Sequence, residues 1–106
     1  MGKYWLANTP DGALLAGSKT EDMISIVAAA ELDFDVTVTG AAMGDMVLGV
    51  SFEIDLDPDV SISYYVSAAD TVTVVLCNNS TATVDFASTT VRALVLPKAG
   101  VDNIIA

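Results

Sequence analysis

Glu53, Asp55, Asp57 and Asp59 are the densest acidic set in the chain. On an extended strand the first three would point to one side at intervals of about 7 Å. Two carboxylates that face each other across a cleft serve as acid and base in glycoside hydrolysis. Six or more converging oxygens hold calcium, but this stretch has neither the glycine turn nor the closing bidentate Glu of a helix-loop-helix calcium loop. The set reads instead as a solvated strand face whose charge discourages unwanted edge pairing. The chain has no His, which removes the commonest general base, the Ser-His-Asp and Cys-His arrangements and most transition-metal sites. Cys77 is the only cysteine, so no intrachain disulfide forms. It ends the apolar run Thr71-Val-Thr-Val-Val-Leu-Cys77 and is expected to be a buried thiol, in a protein of a reducing compartment or a cytosol-assembled particle. Asn78 and Asn79 each begin an N-x-S/T triplet, which matters only in a eukaryotic secretory pathway, and read as turn residues. No catalytic residue, metal ligand or cofactor site is assigned, and no enzyme is expected.

These side chains must be placed by strands. Leu32, Phe34, Val36 and Val38 alternate with Asp33, Asp35 and Thr37, the period-two pattern of a half-buried strand. Gly40 to Asp45 supplies turn residues, and Met46 to Asp57 returns to extended chain, with Phe52, Ile54 and Leu56 alternating against acids until Pro58. Val60, Ile62, Tyr64 and Val66 alternate with Ser61, Ser63, Tyr65 and Ser67, which places Tyr64 in the core and Tyr65 outside. Ala68-Ala69-Asp70 then connects to Thr71–Cys77 as a hairpin. A brief strand at 82–86 and a last one at 89–96, stopped by Pro97, complete an all-β set. Turn signals every eight to twelve residues predict a small antiparallel β-sandwich or barrel.

The 106 residues suffice for one domain, which buries roughly 65% of its unfolded surface. A composition 53% hydrophobic and 17% charged, with mean hydropathy +0.57, describes a chain that folds. The net charge of −10 repels phosphate backbones and anionic head groups, so neither nucleic acid nor membrane is an expected partner. Ser25, Asp33, Asp45 and Glu53 interrupt every apolar run before it reaches membrane-spanning length, and no secretory signal is read.

The division expected is an N-terminal arm and lead-in over 1–30, a β-sandwich over 31–97 and a tail over 98–106. Within the lead-in, Thr20 to Met23 has the residues to cap a single helical turn. Tyr4, Trp5 and Leu6 cluster in the arm, either folded back over the sandwich or packed on another chain. Ile104 and Ile105 pose the same question in the tail. The candidate interface set is Tyr4, Trp5, Leu6, Leu14, Leu15, Tyr65, Ile104 and Ile105.

Two segments within Thr37 to Val95, one from Val38 through Gly40, Gly44 and Asp45 to Val47, the other from Tyr65 through Asp70 to Val74 and on from Asn78 to Arg92, run as strand, turn and strand. Gly40 and Gly44 free the backbone and Asp45 and Asp70 cap turns. In order and spacing the pair resembles small structural proteins of tailed bacteriophages, the capsid decoration or cement proteins and related virion β-domains. The resemblance implies a non-enzymatic virion component, commonly a β-sandwich that trimerises. Such a component is assembled in the host cytoplasm and sits on the outer capsid surface over junctions between major capsid protein subunits. A receptor- or glycan-binding module of a tail or head fibre, using loops 40–45 and 78–83, is the alternative expectation.

Overall fold

The computed structural model describes residues 12–22 and 25–105. The described elements are β1 (Leu15–Glu21), β2 (Glu31–Thr37), β3 (Met46–Phe52), β4 (Val60–Ala68), β5 (Thr71–Asn78), β6 (Thr89–Leu96) and a helix α1 (Lys98–Ile105). They form two three-stranded sheets of order β1-β6-β3 and β2-β5-β4, with every pairing antiparallel. The architecture is the small all-β antiparallel sandwich that the alternation predicts.

The two central strands, each paired on both edges, supply most of the core. β5 contributes Val72, Val74 and Leu76, and β6 contributes Val91, Ala93 and Val95, all buried, against Phe34 and Val36 of β2 and Val38 just after it. Most of these residues are β-branched, which suits a pleated, packed surface and leaves little side-chain freedom to lose. Phe34 and Phe52 meet edge to face, with ring centroids 6.5 Å apart at 86°, and so join the sheets directly. Such a pair adds about 1 kcal/mol beyond its buried area.

Several boundaries differ from those expected. Leu15–Glu21 is no free arm but a full edge strand, in register with β6 from Leu15↔Val95 to Glu21↔Thr89, so the sandwich begins well before residue 31. Thr20 and Glu21 lie in that strand rather than in a helical turn. Gly17 lets β1 close on the second sheet, since a Cβ there would run into the Thr37 carbonyl oxygen. The third strand stops at Phe52 instead of continuing to Asp57. The brief strand expected at 82–86 reduces to one bridge, Ile26↔Val84. Residues 98–105 form a helix, whose Gly100 packs on the backbone of Gly12 so closely that neither tolerates a Cβ.

Candidate functional site

The acidic set does not converge. Glu53 pairs with Arg92 across the sheet, and Asp57 Oδ1 accepts the Asp59 amide at 2.9 Å, a local turn bond. Asp55, Asp57 and Asp85 border a shallow depression with Leu56, Pro58, Val84 and Phe86. Because β3 ends at Phe52, the carboxylates leave the strand geometry that would have aligned them. Among the described residues no cluster of three or more His, Cys, Asp or Glu side chains is placed to hold a metal ion.

The loops are tied to the framework by side chains. Asp70, at φ +61°, accepts the Gly40 amide at 2.8 Å while its own amide donates to the Ala41 carbonyl. Asp45 accepts the Ala42 amide at 2.8 Å with one oxygen and the Lys98 amide at 2.9 Å with the other, so it closes its turn and caps α1 together. Asn78 is fully buried. Its amide nitrogen donates to the carbonyls of Ile26 at 2.8 Å, Val27 at 3.2 Å and Ala82 at 2.9 Å, and its oxygen accepts from both the amide and hydroxyl of Ser80. It is a structural hub rather than a simple turn residue. Cys77 is half-buried rather than buried, with Sγ 3.4 Å from Asn79 Oδ1.

The expected interface residues fall on different elements. Tyr4, Trp5 and Leu6 lie outside the described residues. Leu14, Ile104 and Ile105 are exposed, whereas Leu15 is half-buried and packs on the core. Tyr65 is exposed on the outer face of the β2-β5-β4 sheet, and Tyr64 is exposed too, although it shares the inner face with Val66, because the edge of that sheet is incompletely covered.

A different surface gathers apolar side chains. On the outer face of the β1-β6-β3 sheet, Met46, Leu48 and Leu94 are 50%, 45% and 38% exposed. Leu48 is the extra residue of a bulge, the register stepping from Val47↔Val95 to Gly49↔Leu94. The bulge turns Leu48 outward beside Gly49, where nothing would meet a Cβ. Ala16, Gly49 and Leu94 line an open depression of about 460 Å³, rimmed by Ser51 and Arg92. The sequence signal for it is the loss of alternation: Met46-Val-Leu48 and Ala93-Leu-Val-Leu96 are apolar on both faces, the mark of strands covered on both sides. No family model, no curated protein and no solved structure matches the chain.

Proposed function

We propose that this chain is a capsid decoration protein: a non-catalytic sandwich that binds the outer surface of a major capsid shell as a homo-oligomer and holds neighbouring shell subunits together. The observation that supports the reading is the exposed apolar face built by Met46, Leu48, Leu94, Ala16 and Gly49 on a rigid three-stranded sheet. Contiguous apolar surface of this kind marks sites of protein contact. Its position on paired strands, rather than on a loop, gives it a fixed shape for a rigid partner. The net charge of −10 complements basic shell patches and keeps the free oligomer soluble. Many modest contacts repeated around an oligomer sum to a firm attachment through effective concentration.

The fibre-module alternative draws less support, because the polar groups of loops 40–45 and 78–83 are largely committed to the framework through Asp45, Asp70 and Asn78. Co-sedimentation with expanded capsid shells tests the proposal. The wild-type chain should bind, and Leu48→Asp with Leu94→Asp should weaken binding by about tenfold or more, the loss of one central apolar anchor. Equal binding by a folded double variant, or binding to a glycan array and not to shells, would refute it.

A further inference from the structure

Four strand edges border the two sheets, and three of them are defended. β1 carries the Lys19 to Glu21 ion pair, β2 presents exposed Glu31, Asp33 and Asp35, and β3 breaks its ladder with the bulge at Leu48. These are the ordinary means by which a sheet avoids adding another strand. β4 has only a bulge at Ser67, near its end, which leaves the run from Val60 to Val66 regular. Val60–Ala68 contains no charge and no proline, and among the described residues its only ladder is with β5. Its middle is open on both faces: Ile62 and Tyr64 on the inner face are 38% and 37% exposed, and Tyr65 on the outer face is 54% exposed between Ser61, Ser63 and the half-buried Ser67.

We infer that β4 is a homotypic docking edge: a second copy of this chain adds its own β4 antiparallel across a two-fold axis at Ser63, fusing two three-stranded sheets into one. The axis follows from the ladder. The register of β4 shifts between Val66 and Ala68, so the regular run is Val60 to Val66, and its midpoint is Ser63. Directly opposed residues share a face, so this axis sets Ile62 against Tyr64 of the second copy twice, and Val60 against Val66. Those pairs cover the inner-face residues that one sheet leaves exposed. The occupant is a second copy because the run is complementary to itself in this register and sets no charge of its own against its image. The pairing uses the β2-β5-β4 sheet and leaves the apolar face of the β1-β6-β3 sheet free, so it stands independently of the shell-binding proposal. It also gives a count of two, where the phage resemblance implies three.

Light scattering after size exclusion, over a dilution series, reads the count. The wild-type chain should run at about 22 kDa, twice the 11.0 kDa of one chain. Ser63→Lys and Ser63→Glu each set like charges directly opposite at the axis and should each halve the mass, while an equal mixture of the two should restore it. Amide exchange on the wild type gives a second readout that needs no variant: a pair protects successive amides from Ser61 to Tyr65, whereas an unpaired edge leaves alternate ones fast. A wild-type monomer or trimer, a Ser63→Lys variant that stays paired, a mixture that fails to pair, or alternating protection would each overturn the inference.

Discussion

Asn78 joins the segment at Ile26 and Val27 to the loop at Ala82 through three donated hydrogen bonds, and holds Ser80 with its oxygen, all at a buried point. Asn78→Ala would strand the Ser80 amide, at about 1–3 kcal/mol for a buried donor left unmade, and leave the Ile26, Val27 and Ala82 carbonyls with only the Val84 amide, the Ala30 amide and the Ser80 hydroxyl around an unfilled space. We expect a loss of about 3 kcal/mol and a Tm lowered by about 15 °C in calorimetry. Asn78→Asp keeps the shape and the Ser80 acceptor but turns a second oxygen toward three carbonyls. Its carboxyl would be held above the ordinary carboxylate range in the folded state by burial and by those oxygens. The variant would therefore be more stable below the unfolded carboxyl pKa and lose that stability as pH rises, a trend visible in urea midpoints. A flat profile would contradict the hub role. None of this was legible in the sequence, where Asn78-Asn79-Ser80 looks like any polar turn, because the partners lie 51 and 52 residues away.

Helix α1 depends on a residue remote in sequence. Asp45 caps it through the Lys98 amide from 53 positions away, and Gly100 and Val101 both donate to the Pro97 carbonyl to close the first turn. Asp45→Ala should cost about 1 kcal/mol, the usual worth of a cap, and speed amide exchange at Gly100 and Val101 by about fivefold. Unchanged exchange there would remove the cap from the account. The elements that the sequence announces are β2 and β4, by their own alternation, and β5 and β6, as apolar runs bounded by turn residues and Pro97. β1 has no such pattern in Leu-Ala-Gly-Ser-Lys-Thr-Glu and is recruited by pairing with β6. Lys19 even faces inward there, its Nζ 5.8 Å from the Phe34 ring centroid and 3.0 Å from Glu21, a charge placed to guard the edge. The helix was hidden by its length and the glycine in its first turn, and by a cap that no local window contains.

At the scale of the whole molecule, surfaces rather than residues carry the functional reading. The expectation that the termini form the contact surface rested on Tyr4, Trp5, Leu6, Leu14, Leu15, Ile104 and Ile105. Of those described, Leu15 packs against the core, Leu14, Ile104 and Ile105 are exposed, and Tyr65 stands on β4 of the other sheet. The gathered patch lies on β3 and β6, where residues far apart in sequence become neighbours through the Met46↔Leu96 to Phe52↔Val91 ladder. Its trace in the sequence is the pair of runs without alternation, which mean buried-on-both-faces in most sheets; here one of those faces is left exposed. The β1-β6-β3 face is the central claim, and hydrogen exchange of the chain with and without expanded capsid shells tests it most directly. Shell binding should slow exchange across Met46 to Val50 and Arg92 to Leu96 and leave loops 40–45 and 78–83 as they are. Protection confined to those loops, or none anywhere on a bound chain, would contradict it.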